Sequence, residues 1–141
     1  MKLRNFLIAA GTLVALLLVI QLIPYGRQHT NPPITAEPPW SSSETRALAE
    51  RACSDCHSNE TAWPWYSSVA PVSWLVVHDV QEGRQTLNFS EWDRNQQRLR
   101  EIAEVLREGE MPPFYYVLQH PGARLSAAER AQLEQELTAF R

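Results

Sequence analysis

Cys53, Cys56 and His57 stand together in the run Cys53-Ser54-Asp55-Cys56-His57, and these are the only two cysteines of the chain. A C-x-x-C-H run is the attachment pattern of a c-type haem. On a helical turn, residues three apart share a face, so each thiol can meet one haem vinyl group. The imidazole beside the second thiol can then serve as proximal ligand of the iron. Two other uses of such residues lack the surroundings they need. A thioredoxin-like dithiol belongs in a βαβ unit, and no strand pattern is present. A structural zinc needs four Cys/His ligands at matched spacing, and there is no second cysteine pair.

An iron held by His57 has a sixth position. Met111, in Gly109-Glu110-Met111-Pro112-Pro113, is the one methionine beyond the first residue. A thioether there raises the reduction potential relative to a second imidazole, and the two prolines stiffen the loop that carries it. The bland use of Met111 is flexible core filler. His78 in a helix and His120 before Pro121-Gly122 are the alternative ligands, and an open sixth position is a further alternative. His29 lies too near the anchor to be expected at the iron. Trp63-Pro64-Trp65-Tyr66, Trp74, Phe114, Tyr115 and Tyr116 follow the two ligand segments closely. They are expected to pack as core or to wall the haem from water, with Trp and Tyr tips free to bond a propionate. The carbonyl of Pro64, or of a neighbour in its loop, is the expected acceptor for the Nδ1 proton of His57. Arg84 and Arg124 are read as solvated surface or as propionate partners.

The elements that must position these residues read as helices. Ser42 or Ser43 caps a first helix whose apolar side is Ala47, Leu48 and Ala52. Pro71 opens a helix to about Gln85, with Val72, Leu75, Val76 and Val80 as its stripe. Ser90 is expected to start the next, where Leu99, Ile102, Ala103 and Leu106 recur at three and four, and Gly109 is its left-handed stop. Ser126 with Glu129 forms a capping-box pattern before Leu133, Leu137 and Phe140. No stretch alternates with period two. The expected fold is all-α, a small cytochrome c-like helical domain around one haem, preceded by an N-terminal transmembrane helix.

That helix is the apolar run from Phe6 to Ile23, which follows Lys2 and Arg4. It is longer than a typical signal-peptide core and ends in Leu22-Ile23-Pro24-Tyr25, without an A-x-A-like site. An uncleaved signal anchor over 1–23 is expected rather than a removed leader. Positive residues stay cytoplasmic, so the remainder would lie on the export side: a single pass through a bacterial inner membrane, with the soluble part in the periplasm. Pro24, Pro32, Pro33, Pro38 and Pro39 make 24–40 read as an extended tether, and 41–141 as the haem domain. Beyond position 30 lie all 16 acidic residues and 10 of the 13 basic ones, a net of −6. Nucleic acid is a poor partner for that charge; a redox partner protein is expected instead.

The ordered motifs resemble the haem-binding domain family of bacterial cytochrome c-like proteins. They are Asn31-Pro32-Pro33, the Cys53–Thr61 run, Trp63-Pro64-Trp65-Tyr66-Ser67, Ala70-Pro71-Val72-Ser73-Trp74, Gly83-Arg84, Asn88-Phe89-Ser90-Glu91-Trp92, Met111-Pro112-Pro113 and His120-Pro121. The resemblance implies a membrane-tethered or periplasmic protein with one haem c. It implies Cys53 and Cys56 as covalent anchors and His57 as axial ligand, and Met111 matches the family's Met-Pro segment. No catalytic constellation accompanies these residues, so an electron carrier is expected rather than an enzyme. The rival reading is a haem sensor or small peroxidase-like enzyme with a displaceable distal ligand, in which His78 or His120 handles protons. A third is an interaction module on a stalk with a dithiol switch.

Overall fold

The computed structural model describes residues 2–94 and 99–140. Among the described residues seven α-helices follow one another: α1 Lys2–Ile20, α2 Ser43–Ala52, α3 Ser54–His57, α4 Val72–Thr86, α5 Leu99–Glu108, α6 Phe114–Gln119 and α7 Ala127–Ala139. Two short 3₁₀ turns, Trp65–Ser68 and Pro121–Ala123, complete the set. Among the described residues there is no strand; a lone parallel bridge joins Ala36 and Glu91. The all-helical expectation is met.

The chain divides into two compact units. The first takes in Met1–His29 and Trp63–Asp79. Its α1 has 19 residues, none of them buried, and is long and apolar enough to cross a membrane. The helix stops at Ile20, and the next three amides turn back on carbonyls three residues earlier. Pro24 explains the stop, because the residue before a proline is pushed out of helical geometry. The chain then folds onto the loop that precedes α4. The Gln21 side chain accepts from Ala70 N–H at 3.0 Å and donates to its carbonyl at 2.9 Å. Gly26, at φ +82°, lies so close to Ser73 that a Cβ would sit 2.8 Å from that residue's carbonyl carbon. His29 Nε2 donates to the Ser67 carbonyl at 2.9 Å, and its ring stacks on Trp63 at 4.5 Å.

The second unit takes in Thr30–Ala62 and Val80–Arg141. Its core gathers Ala49 and Ala52 of α2, Ala103 and Leu106 of α5, Leu133 and Leu137 of α7, and Leu87, Phe89 and Leu125 from the connections. Trp40, Phe89, Trp92 and Phe140 add a cluster of edge-on rings with centroids 4.8–5.6 Å apart for the Trp40–Phe89, Trp40–Phe140 and Trp92–Phe140 pairs. Within the Pro-rich stretch, the residues from Thr30 on are bonded into this unit. Thr35 N–H donates to the Ser90 carbonyl, and Trp92 N–H to that of Ala36.

Helix ends follow local chemistry. Ser42 caps α2 through Thr45 N–H. Gly109, at φ +81°, closes α5 with its own N–H on Leu106 and Glu110 N–H on Val105, the Schellman pattern. Ser126 and Glu129 form the expected reciprocal capping box on α7.

Three expectations need correction. Ser90 does not begin a helix: it lies in a turn, and α5 is first described at Leu99, with 95–98 outside the described residues. Its hydroxyl is taken by Asn59 N–H at 2.9 Å, which removes it as a cap. The buried stripe of α4 is Ser73, Val77 and Val80, whereas Val72 and Leu75 are exposed. On α2, Ala47 faces out and Thr45 and Ala49 face in.

The capping box carries a pH signature. The Ser126 N–H, then its hydroxyl, then Arg51 hold the Glu129 carboxyl below its ordinary 4.5. A depressed carboxylate contributes stability above its unfolded pKa and loses it as pH falls through the folded one. Glu129→Ala is therefore expected to destabilise at about pH 7, with the gap to wild type narrowing as pH falls below the ordinary carboxylate range. Paired urea melts in detergent check this.

Candidate functional site

The C-x-x-C-H run folds as expected into one helical turn. Cys53 ends α2 and precedes α3, and its carbonyl accepts from Cys56 N–H at 3.2 Å and His57 N–H at 2.8 Å. Both cysteines are half-buried. Burial pushes the Cys53 thiol up to about 12, with the neighbouring Cys56 adding to the effect.

The imidazole is held from α4. His57 Nδ1 lies 3.0 Å from the carbonyl of Gly83 and 3.1 Å from that of Leu87. Carbonyls only accept, so the proton sits on Nδ1 and Nε2 keeps its lone pair. Burial lowers the His57 pKa, and the two carbonyl bonds oppose that effect. The expectation of Pro64 or a loop neighbour as acceptor is corrected here: the acceptors are the Gly83 carbonyl in the last turn of α4, which also accepts from Leu87 N–H, and the Leu87 carbonyl just past the helix. Gly83 has a second role. A Cβ there would collide with the carbonyl oxygen of Cys56, so α4 reaches the thiol-bearing turn only because residue 83 has no side chain.

Behind the turn lies a dry polar network. Ser58, Asn59, Asn88 and Ser90 are all buried. Asn88 donates to Asn59 Oδ1 at 2.9 Å and accepts from Ser90 N–H at 2.9 Å, while Phe89 N–H donates to the His57 carbonyl at 2.8 Å. Arg84 adds a clamp. Its Nε donates to the Ser58 carbonyl at 2.8 Å, Nη1 to the Thr30 carbonyl at 2.8 Å, and Nη2 to Asn31 Oδ1 and Thr61 Oγ1 at 2.9 Å. Neither solvated surface nor anion partner describes it; it ties 30–31 and 58–61 to α4. Arg124 is exposed, and its carbonyl accepts from Arg51.

A direct bond ties α6 to the same turn. Tyr116 Oη donates to Asp55 Oδ2 at 2.7 Å, and Asp55 Oδ1 accepts from Ala62 N–H at 3.0 Å. Burial, then the Asp55 bond, raises the Tyr116 pKa. His120 stacks on Tyr116 with centroids 4.4 Å apart and planes 13° from parallel. Met111 lies in the bend between α5 and α6 with two-fifths of its surface exposed. Phe114 and Leu118, four apart on α6, are also exposed. His78 is exposed on the part of α4 that belongs to the first unit.

The roles of Asp55 and Tyr116 escaped the sequence reading, as did those of Gly83 and the Asn59–Asn88–Ser90 network. Gly83-Arg84 and Asn88-Phe89-Ser90 did stand out as motifs, and that was the available sign. Among the described residues no group of three or more His, Cys, Asp and Glu side chains could hold a metal ion. One imidazole with a lone pair, beside two cysteines on one turn, defines a different class: a small helical protein prepared for a macrocycle that brings its own metal ligands.

A family model described as a haem-binding domain matches residues 15–138. The chain belongs to that haem-binding domain family and is a haem protein. No curated protein and no solved structure matches it. The donor set fits a haem. The Nδ1 bonds fix the tautomer that leaves Nε2 for iron, the two thiols share one turn, and Met111, Phe114 and Leu118 present uncovered apolar surface on the element bonded to that turn.

Two substitutions test the positioning. Gly83→Ala forces α4 and the thiol-bearing turn apart and is expected to cost about 1–3 kcal/mol, the usual range for overpacking, read by urea unfolding. Tyr116→Phe removes a bond to a carboxylate and is expected to cost about 1–3 kcal/mol. Protection of the 111–119 amides from hydrogen exchange should fall with it.

Proposed function

We propose that this protein is a membrane-anchored c-type cytochrome that carries one covalent haem and transfers electrons in the periplasm. The observation that carries the proposal is the His57 imidazole, tied at Nδ1 by Gly83 and Leu87 with Nε2 left over, beside two cysteines on one turn. Bound there, haem supplies one-electron redox chemistry.

The chain's own residues then have defined tasks. Cys53 and Cys56 would hold the haem covalently, each as a thioether made by adding its S–H across one vinyl double bond, with no atom lost. His57 Nε2 is the proximal ligand. Its two carbonyl bonds raise the basicity of the ring and hold it in one orientation. Met111 is the distal ligand, carried on a segment that Pro112 and Pro113 stiffen and that the Tyr116–Asp55 bond holds to the turn. His78 and His120 are the alternative distal ligands. The acidic soluble part, with net charge −6 beyond position 30, suits a partner protein with a basic face. In this reading residues 1–23 are the anchor, 24–40 the tether and 41–141 the haem domain, with α1 crossing a bacterial inner membrane.

The exposure of Met111 supports a second reading, a sensor or small peroxidase-like enzyme in which an outside ligand displaces the sulfur. One set of experiments separates these. In a host competent in cytochrome biogenesis, the mature chain is expected to gain the full mass of one haem and to keep its haem stain on a denaturing gel. Cys53→Ser with Cys56→Ser should abolish both, and a wild-type mass equal to the bare polypeptide sinks the proposal. Met111→Ala is expected to convert a six-coordinate low-spin spectrum to high spin and to lower the potential, as loss of a thioether ligand requires. An unchanged spectrum removes Met111 as ligand. Fast CO binding to the reduced wild type favours the sensor.

A further inference from the structure

One stretch of the chain is free of charge and supplies none of the haem-holding residues named above. Residues 63–77 contain no Asp, Glu, Lys, Arg or His. The segment nonetheless presents large apolar side chains to the outside. Trp65 is 82% exposed, and Val69, Val72 and Leu75 are 43–46% exposed. A single exposed valine needs no explanation, but a tryptophan, two valines and a leucine within eleven residues of an uncharged segment do.

The same compact unit holds α1, and the segment is fastened to the end of that helix. Gln21, one residue past α1, makes both backbone bonds of Ala70. Gly26 packs on the backbone of Ser73, and His29 bonds Ser67 and stacks on Trp63. These ties fix the depth of the segment. The 19 residues of α1 span about 28 Å, close to the ~30 Å hydrocarbon core of a bilayer. Ala70 is therefore held where the hydrocarbon ends. Val69 and Val72 are within two residues of it, about 7 Å of chain at most. The headgroup zone on each side of the core is about 5–7 Å deep, so both side chains fall inside it. Leu75 is one turn along α4 from Val72. Trp65 opens the 3₁₀ turn just before, and Tyr25, 45% exposed, follows the anchor at the same level. Trp and Tyr concentrate at this depth because their rings are apolar and their tips are polar.

We propose that Tyr25, Trp65, Val69, Val72 and Leu75 form a membrane-resting face that lies in the lipid headgroup zone on the export side. The first unit is then more than an anchor on a string: it seats the start of α4 on the bilayer surface. A charged side chain would be expelled from that zone's apolar side, which accounts for the charge-free run. The occupant is phospholipid, argued from continuity with the anchor.

The inference rests on α1 crossing the membrane, and the test separates the two. The full-length haem-loaded protein is placed in nanodiscs of phosphatidylethanolamine and phosphatidylglycerol. One lipid carries a photoactivated carbene source on its acyl chain near the glycerol, and adducts are mapped by mass spectrometry. The expected result is label on α1 and on peptides covering Trp65 to Leu75, with none on α7. Label on α1 alone overturns the membrane-resting face and leaves the anchor standing; these side chains would then be covered by haem or by a protein partner. Label on neither overturns both.

Discussion

The arrangement depends on how one imidazole is held. His57 gives its only proton to two carbonyls at the end of α4, so the other nitrogen is fixed as a lone pair with a set direction. An imidazole free to rotate or to exchange tautomers offers a metal a mixture of ligands. Two acceptors on a rigid helix end remove that freedom before any haem arrives, so little ordering remains to be done on binding.

The rest of the second unit serves this contact. Gly83 lets α4 approach the thiol-bearing turn at backbone distance. Arg84, the next residue, spends its donors on the segments that flank the turn. Asn59, Asn88 and Ser90 satisfy one another in the interior, where an unpaired polar group would be costly. From the other side, Tyr116 reaches Asp55, so the segment with Met111 is bound to the run that bears the cysteines. The two intervening residues of the run are thus not mere spacers, because Asp55 is where α6 attaches. Three of the ordered motifs, the Cys53–Thr61 run, Gly83-Arg84 and Asn88-Phe89-Ser90, read in the folded chain as separate parts of one clamp around His57.

The first unit obeys a different constraint. Its helix carries no buried residue and is long and apolar enough to cross a membrane. Polar contacts concentrate just past its end, where Gln21, Gly26 and His29 grip the loop before α4. This division, apolar along the helix and hydrogen-bonded at its end, suits the membrane exit proposed above.

What this sequence determines alone is local. Hydrophobic spacing marks α5 and α7, the Ser126–Glu129 pair and Gly109 set their ends, and the Cys53–His57 spacing makes one turn, because each depends on residues within a few positions of one another. Tertiary structure decided the partners. Ser90 has the credentials of a helix cap, but Asn59 claims its hydroxyl; Arg84 has those of a surface cation but closes a clamp; Gly83 has those of a helix breaker but is a point of close approach. The buried face of α4 also turned out to be Ser73, Val77 and Val80, because neighbours rather than hydropathy select a face where the helix opens on an uncharged, largely apolar run. Contacts such as His57 with Gly83, 26 positions apart, leave no periodic trace in a chain, and only the packed fold brings them within bonding distance.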